Sequence, residues 1–213
     1  MDGAISYAEP LRVDDPEDCF FYHSMDLPGV GEVEGSWDLR AVVDDYLGGF
    51  DFAGTRALDV GAASGYLSFE MARRGAEVVS FDLAGEAQRN HVPWAGVAPP
   101  PPPGTSPVQR IKNGYWFAHQ RLGSHARAWY GNVYQRPVAL GAFDVAFLGM
   151  ILGHLRDPLG ALHSAARLCT DWIIVSNQMF EAEEPMAVLM AGRAPPGAAA
   201  WWGLSKTCVT DML

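Results

Sequence analysis

Residues 57–67 constrain the fold of this chain more than any other segment. The apolar run Ala57–Val60 predicts a buried strand, and the small residues of Gly61–Gly65 predict a tight turn. A helical pattern begins directly afterwards, at Tyr66. Small residues let a backbone approach a ligand closely, and the N–H groups at a helix start face that ligand. The segment therefore predicts a binding turn between a strand and a helix.

An acidic residue follows the next predicted strand. That strand, Glu77–Phe81, leads into Asp82, about twenty residues after the turn, as in nucleoside-cofactor sites. A carboxylate at the end of this strand can accept hydrogen bonds from both hydroxyls of a ribose. The two features together predict a nucleoside-cofactor site and leave the identity of the cofactor open.

Length and charge limit the class of protein. A chain of 213 residues that is 49% hydrophobic suits one globular α/β domain. A net charge of −10 argues against a nucleic-acid substrate, because phosphate binding needs clustered Lys and Arg. The three cysteines are far apart and predict reduced thiols in a cytoplasmic protein. No apolar run is long enough for a membrane span, and the acidic N-terminus does not resemble a signal peptide.

Helical and strand patterns alternate along the chain, which predicts a parallel sheet covered by helices on both faces. A helix is expected over Trp37–Leu47, before the first strand. After Asn177 we expect no alternating strand pair. The other expected elements are a helix over Gln109–Leu122, strands over Ala126–Tyr130 and Phe143–Leu148, a helix over Leu159–Leu168 and a strand over Trp172–Ser176.

Composition divides the chain into three segments. Residues 1–35 are expected to form an irregular cap, residues 36–180 the core, and residues 181–213 a tail or substrate-side segment. Within the core, residues 93–107 contain seven prolines, which predicts a polyproline II surface loop. A docking site for a partner is the less favoured interpretation of that loop.

Two turn chemistries do not match the spacing of the glycines. A dinucleotide site needs G-x-G-x-x-G, but Ala63 and Tyr66 occupy the second and third glycine positions. A nucleophile elbow needs G-x-S-x-G, but Ala62 and Tyr66 lie two positions either side of Ser64. We therefore interpret Ser64 as a hydroxyl that stabilises the turn.

The pattern that remains is an acid, Asp59, followed by the glycines Gly61 and Gly65. Together with Asp82 it resembles the class I S-adenosylmethionine-dependent methyltransferases. The resemblance covers roughly Trp37–Ser176 and implies a Rossmann-like α/β fold with parallel strand order 3-2-1-4-5. The chain departs from the family in one respect: the sixth and seventh strands of the family's sheet are expected to be missing, the chain being either a fragment or naturally shortened.

The resemblance implies a role for each matched residue. The first motif would wrap the methionine half of the cofactor, Asp82 would bind the ribose hydroxyls, and Leu83 would lie beside the adenine. Asn132 stands where the family usually has aspartate and would bond the adenine amino edge. The residues expected to contact the cofactor are Trp37, Arg40, Asp59, Gly61, Ala62, Ala63, Gly65, Asp82, Leu83, Asn132, Val133 and Gly149.

A histidine lies in the segment that would face the acceptor. Leu148–Pro158 resembles the family's fourth-strand motif and the loop after it, and it contains His154. The ordinary pKa of histidine suits proton removal near neutrality, so His154 is the candidate base; a loop histidine without chemistry is the alternative. Tyr22–Pro28, Gly35–Arg40 and Ser68–Gly75 resemble a bacterial branch related to the enzymes that modify the tRNA wobble uridine.

The expected function is methyl transfer from S-adenosylmethionine to an oxygen or nitrogen of a small molecule, such as a specialised metabolite or a sugar. S-adenosylhomocysteine is the expected product, and no metal, nucleic-acid or membrane partner is expected. A homo-oligomer or a partner protein could use the exposed fifth strand or the Pro-rich loop. A non-catalytic binding or assembly subunit and an NAD-dependent oxidoreductase stay open. Five aromatic residues fit either an acceptor pocket or the core: Tyr115, Trp116, His119, Trp201 and Trp202.

Overall fold

The computed structural model describes residues 6–85, 106–135, 138–190 and 200–213. The predicted Pro-rich loop, 93–107, lies outside the described residues except for Ser106 and Pro107. The strands are β1 (Met25–Leu27), β2 (Gly31–Val33), β3 (Arg56–Val60), β4 (Glu77–Asp82), β5 (Arg127–Tyr130), β6 (Phe143–Gly149), β7 (Cys169–Ser176), β8 (Met179–Phe180), β9 (Ala187–Leu189) and β10 (Trp202–Ser205). The helices are α1 (Val43–Tyr46), α2 (Tyr66–Arg73), α3 (Pro107–Leu122), α4 (Pro158–Ala166) and α5 (Lys206–Met212).

Five parallel strands form the central sheet, in the order β5-β4-β3-β6-β7. Counted along the chain this is the order 3-2-1-4-5, so the predicted fold class is confirmed. Within the described residues, β7 is an edge strand that pairs only with β6. The part of the chain that the structure describes contributes five strands to this sheet, and pairing of a partner with β7 stays a prediction.

The central strand β3 shows why the sheet was predictable. Ala57, Leu58 and Val60 are buried, because β3 has a neighbouring strand on each side and helices cover both faces of the sheet. Asp59 interrupts this apolar run and is also buried, at 2% exposure. A buried carboxylate is costly unless polar partners solvate it, so this residue marks the place where the strand serves more than packing.

Two apolar layers cover the sheet. On one face, α2 and α3 pack with the N-terminal segment around residues such as Phe69, Phe117 and Phe147. On the other face, α4 and α5 contribute Leu162 and Val209 to a second core. The predicted pattern of helices on both faces is therefore correct.

The helix predicted over Trp37–Leu47 is wrong, because only the four residues of α1 are α-helical. Trp37 instead forms a β-bridge with His23. The Asp38 side chain accepts a hydrogen bond from the backbone N–H of Arg40 at 3.1 Å, a local turn that competes with a helix. Apolar spacing alone did not reveal this competition.

Two further expectations need correction. The segment expected to be irregular, 1–35, contains a hairpin in which β1 and β2 pair antiparallel. The segment after Asn177 contains a three-stranded sheet in which β10 pairs parallel with β8 and antiparallel with β9. These strands have two to four residues each, too few for alternation to be visible in the sequence. The division of the chain at residues 35 and 180 stays a prediction.

Membrane spans, metal sites and disulfides would each limit the class of protein. No described helix combines the length and apolar character that crossing a membrane requires. No described group of three or more His, Cys, Asp or Glu side chains is arranged to hold a metal ion. The three cysteines are free thiols.

Candidate functional site

A cavity of about 910 Å³ lies where β3, β4, β6 and β7 end. Open parallel sheets bind ligands beyond the carboxyl ends of their strands, next to the point where the strand order reverses. In this sheet that point lies between β3 and β6. The strands β4 and β5, which follow β3 in the chain, lie on one side of it, and β6 and β7 lie on the other side. The loops after the strands, the start of α2, part of α3 and the N-terminal segment form the wall.

The first three residues of the turn Gly61–Gly65 line the cavity. Gly61 has φ +83°, and a Cβ atom there would lie 2.3 Å from Cδ1 of Ile151. Ala63 has φ +49°, a left-handed conformation that is uncommon outside glycine and is found at functional sites. Ser64 Oγ accepts a hydrogen bond from the backbone N–H of Tyr22 at 2.8 Å. Its hydroxyl therefore ties the N-terminal segment to the turn, in agreement with its interpretation as a structural residue.

Asp82 lies at the end of β4 and faces this turn. Its Oδ2 accepts a hydrogen bond from the backbone N–H of Ala63, and its Oδ1 accepts one from the N–H of Leu83, both at 2.7 Å. Burial raises the pKa of this carboxyl, while the two N–H groups and the nearby Lys112 act in the opposite direction. Each carboxylate oxygen can accept about two hydrogen bonds, so both keep capacity for a diol.

Asp59 is solvated by a chain of buried hydroxyl groups. Ser68 Oγ donates to Asp59 Oδ2 at 2.5 Å, Ser80 Oγ donates to Ser68 Oγ at 2.7 Å, and Tyr115 OH donates to Ser80 Oγ at 2.9 Å. Burial raises the pKa of Asp59 to about 7, and the charge of Asp82 adds to the effect. Asp59 thus presents to the cavity a carboxyl group whose hydrogen-bond partner is the uncharged Ser68, an arrangement suited to a cationic ligand group.

The loops after β4 and β5 and a lysine of α3 form one end of the cavity. Lys112 Nζ donates to the Ala84 carbonyl at 2.6 Å and lies 3.9 Å above the ring of Tyr130. Asn132 Oδ1 accepts from the N–H of Tyr134 at 3.0 Å, which leaves the amide nitrogen of its side chain as the donor. This end combines a flat aromatic surface with a few polar groups, as small-molecule sites do.

The other end of the cavity is formed by the loops after β6 and β7. A short 3₁₀ helix, Leu152–His154, follows β6, and His154 lines the cavity. The backbone N–H of Trp201 donates to the Gly153 carbonyl at 2.7 Å, so the small C-terminal sheet holds this turn from behind. Met150, just before the turn, has φ +52°, a second strained residue in the cavity wall.

The structure brings eleven of the thirteen predicted site residues together around the cavity. Gly65 and Arg40 do not line it. Gly65, at φ +87°, caps α2, and a Cβ atom there would lie 2.5 Å from the Phe69 ring. Arg40 is held outside by Asp26, Glu32 and Asp38. The eleven that line the cavity are Trp37, Asp59, Gly61, Ala62, Ala63, Asp82, Leu83, Asn132, Val133, Gly149 and His154.

Of the five aromatic residues considered for an acceptor pocket, only Tyr115 lines the cavity. Trp116 is buried at 2% exposure, and His119 donates from Nε2 to the Ala126 carbonyl. Trp201 is buried at 7% exposure, and the indole N–H of Trp202 donates to the Arg156 carbonyl. These four residues pack the protein, so the pocket interpretation is wrong for them.

Sequence reasoning missed several residues of the cavity wall. Tyr22 and His23 reach it from a segment about forty residues before the turn, and Tyr46 reaches it from α1. No spacing rule connects such distant segments. The one signal was the similarity of Tyr22–Pro28 to a related branch, which gave these residues no role.

His23 is unusual among them. Its side chain is 8% exposed, and its Nδ1 is sealed from solvent with no hydrogen-bond partner among the described residues. Its ring centroid lies 5.6 Å from that of Tyr66 and 5.3 Å from that of Tyr22. Burial lowers the pKa of His23 to about 4, so the imidazole is neutral at neutral pH.

The sequence of this chain is similar to that of a known methyltransferase. A ubiquinone biosynthesis O-methyltransferase of Burkholderia vietnamiensis is 28% identical over 127 residues, which are 59% of this chain and 45% of that protein. The chain thus spans less than half the length of this curated relative.

Solved structures share the fold. The N-terminal domain of EvdMO1, crystallised in the presence of S-adenosylhomocysteine and D-fucose, has a TM-score of 0.57 and 18% identity, covering 92% of this chain and 81% of that one. The magnesium protoporphyrin IX methyltransferase of Synechocystis, with bound S-adenosylhomocysteine, has a TM-score of 0.52 and 15% identity, covering 82% of this chain and 68% of that one. At these identities the similarity concerns the fold alone.

The match to a family model is broader than the match to any one of these relatives. The model described as a methyltransferase domain matches residues 38–195, most of the chain. This range contains the central sheet, the glycine turn, both cavity carboxylates and His154. The chain therefore belongs to the methyltransferase-domain family.

Proposed function

We propose that this chain binds S-adenosylmethionine and transfers its methyl group to an oxygen or nitrogen of an uncharged small molecule. One observation carries the proposal: a single cavity joins a nucleoside-type constellation at one end to a titratable side chain, His154, at the other. The relatives named above that were crystallised with S-adenosylhomocysteine support the choice of cofactor.

The residues at the first end fit this cofactor. Gly61 lacks the Cβ atom that would fill the space beside Ile151, and Asp82 keeps acceptor capacity for a ribose diol. Asp59 presents a carboxyl group that suits an ammonium or sulfonium charge. Asn132 and Tyr130 supply a donor and a ring face for a purine base. We therefore assign the methionine half to the glycine turn and the nucleoside to Asp82 and the loop after β5.

When bound, S-adenosylmethionine supplies a methyl group that is already activated on a sulfonium sulfur. The chain's own residues then align the acceptor and exclude water. In our proposal His154 accepts the proton of an attacking hydroxyl, a role that typically contributes 10²–10⁴-fold to the rate. The acceptor would enter between the Leu152–His154 turn and the loop after β7.

The side chains at this second end indicate an uncharged acceptor. The described residues that line it are Trp37, Leu39, Tyr46 and the cavity residues after β6 and β7, and they include no Lys, Arg, Asp or Glu. They are aliphatic, aromatic or neutral polar residues, as Leu39, Tyr46 and Asn177 are. A charged acceptor would leave its charge unpaired in such a site, which is costly.

A specialised metabolite or a sugar fits this description. EvdMO1 was crystallised with a sugar present, and the Burkholderia relative is an O-methyltransferase of ubiquinone biosynthesis. The relatives named here give no support to the branch related to tRNA wobble-uridine enzymes. A net charge of −10 also disfavours a nucleic-acid acceptor.

Binding and turnover test the proposal in two steps. Calorimetry with S-adenosylhomocysteine and with NADH tests the cofactor, and binding of NADH alone would overturn it. Methyl transfer from radiolabelled S-adenosylmethionine to a panel of neutral sugars, phenols and amines tests the reaction. Cofactor binding without turnover across the panel would favour the non-catalytic binding subunit instead. Loss of transfer in His154→Ala with unchanged cofactor affinity is the expected result for the base.

A further inference from the structure

We propose that His23 is a cofactor-binding residue, whose imidazole N–H donates a hydrogen bond to the carboxylate at the amino-acid end of S-adenosylmethionine. The inference rests on the proposed function, which assigns the methionine half of the cofactor to the turn Gly61–Gly65. None of the motifs or relatives described above gives His23 a role.

Position supports this assignment. His23 lines the cavity, and its ring packs on Tyr66, the first residue of α2. The preceding residue, Tyr22, is tied to the turn by the hydrogen bond from its N–H to Ser64 Oγ. The bridge to Trp37 holds the other side of the segment. The imidazole is therefore fixed beside the start of α2, where backbone N–H groups also favour an anion.

The unpaired nitrogen of His23 indicates that the ring does more than pack. Nδ1 is sealed from solvent without a partner among the described residues, and buried polar atoms without partners are rare because they destabilise the fold. A phenylalanine could make the same ring contacts with Tyr22 and Tyr66 and would avoid this cost. Because Nδ1 faces no partner, the other ring nitrogen, Nε2, is the atom whose hydrogen bonding would offset this cost.

Protonation decides which atom would donate. Burial is the influence that lowers the pKa of His23 to about 4, so the ring is neutral and carries one N–H. A sealed N–H without an acceptor costs more than a bare ring nitrogen, which places the proton on Nε2. We assign Nε2 as the donor to the ligand.

The distribution of charge explains why the ligand group would be a carboxylate. Asp59 and Asp82 would repel an anion and attract cationic groups. Among the described residues that line the cavity, Lys112 is the only Lys or Arg. Its contacts with the Ala84 carbonyl and the Tyr130 ring hold it near Asp82. Arg40 is held outside the cavity by three carboxylates. Neutral donors must therefore bind the carboxylate, and His23 is placed to be one of them.

Two ligands separate this role from simple packing. S-adenosylhomocysteine carries the amino-acid end, whereas 5′-methylthioadenosine has the same nucleoside and sulfur without it. By calorimetry we expect His23→Phe to weaken S-adenosylhomocysteine binding by about tenfold to a hundredfold, the range for a hydrogen bond to a charged group. Binding of 5′-methylthioadenosine should stay unchanged. His23→Gln, which keeps a side-chain donor, should recover part of the loss.

His119→Phe is the matched control, because His119 is a half-buried histidine that lies outside the cavity wall. It should leave the ratio of the two affinities unchanged. Equal weakening of both ligands by His23→Phe would overturn the proposal, as would an unchanged affinity for S-adenosylhomocysteine with a raised KM for the acceptor. If His23→Phe does not fold by circular dichroism, His23→Gln and His23→Leu carry the same comparison. A wild-type protein that binds neither ligand would contradict the proposed function instead.

Discussion

The two ends of the cavity are built in different ways. At the end that we assign to the cofactor, the turn Gly61–Gly65 and the carboxylates Asp59 and Asp82 come from 24 consecutive residues. Backbone N–H groups bond Asp82, and the Ser68 hydroxyl bonds Asp59. At the other end, which we assign to the acceptor, the wall combines Trp37 and Leu39 with α1 and the loops after β6 and β7. The small C-terminal sheet holds the Leu152–His154 turn from outside.

This difference in construction suits the two ends to different kinds of ligand. A ligand that recurs across a family can be bound by one short segment whose geometry the backbone dictates. A ligand that varies is better bound by side chains from several loops, which can change without disturbing the sheet. Predictions about the first end therefore concern binding, and those about the second concern turnover.

The largest expected effect is at the turn. Gly61→Ala should weaken cofactor binding more than any other change, because its Cβ atom would displace Cδ1 of Ile151, 2.3 Å away in the cavity wall, and φ is +83°. Gly49→Ala is the matched control, since Gly49 also has a positive φ, +61°, but nothing lies within 4 Å of its Cβ position. The control should lose about 1–2 kcal/mol of stability from the left-handed conformation and keep its affinity. Calorimetric binding by Gly61→Ala at wild-type strength would show that the turn is not the cofactor site.

The next effect is at the acceptor end. His154→Ala should lower kcat about 10²–10⁴-fold, the contribution of a general base, and leave the affinity for S-adenosylhomocysteine unchanged. Rate measurements across pH, with an acceptor found by testing the panel of sugars, phenols and amines, would check it. His163→Ala, in α4 and outside this cavity, is the control. Wild-type turnover by His154→Ala would remove this residue from the proposed reaction.

A smaller effect is expected at the ribose position. Asp82→Ala should weaken the binding of S-adenosylhomocysteine by roughly 1.5–3 kcal/mol, because it removes hydrogen bonds to a charged group. Calorimetry gives this difference directly, and Asp82→Asn should lose less, since its amide still accepts one hydrogen bond. Equal affinity in all three proteins would mean that the ribose lies elsewhere.

The smallest effect is on stability against pH, because two buried groups oppose each other. The raised pKa of Asp59, about 7, gives stability that is present below pH 4 and is lost as pH rises through 7. The lowered pKa of His23, about 4, gives stability that is present above pH 6.5 and is lost as pH falls through 4. The unliganded wild type should therefore show a nearly flat melting temperature between these values.

Each variant should expose the other group. Asp59→Asn leaves the contribution of His23, so its melting temperature should rise with pH from 4 to 6.5. His23→Phe leaves the contribution of Asp59, so its melting temperature should fall between pH 4 and 7. Thermal unfolding without ligand measures both slopes. Parallel curves for the wild type and both variants would show that neither group has a different pKa in the folded and the unfolded protein.

The sequence predicted the sheet and the cofactor end well for a physical reason. Parallel strands buried on both faces read as apolar runs, so β3, β4 and β6 were visible, and the exceptions to apolarity pointed to the site. The order of the strands came from the resemblance to a family. Arg40 was misplaced because nothing in its local sequence shows that Asp26 and Glu32 meet it after folding.

The acceptor end was less predictable because long-range contacts form it. The bridge between His23 and Trp37 and the pairing of β9 with β10 join segments whose local patterns indicate neither. Helical spacing over Trp37–Leu47 was overridden by a side-chain turn at Asp38. Single-sequence patterns report local preference, and here tertiary pairing decided the result.

The hydrogen bond from Trp201 to the Gly153 carbonyl has an evolutionary consequence. The last described segment, 200–213, supports the turn that carries His154 but contributes no residue to the cavity wall. Mutations in this segment can therefore shift the turn and retune which acceptors are accepted, while the nucleoside pocket keeps its composition. Selection for a new substrate could act on segment 200–213 before it changed any residue in contact with the ligand.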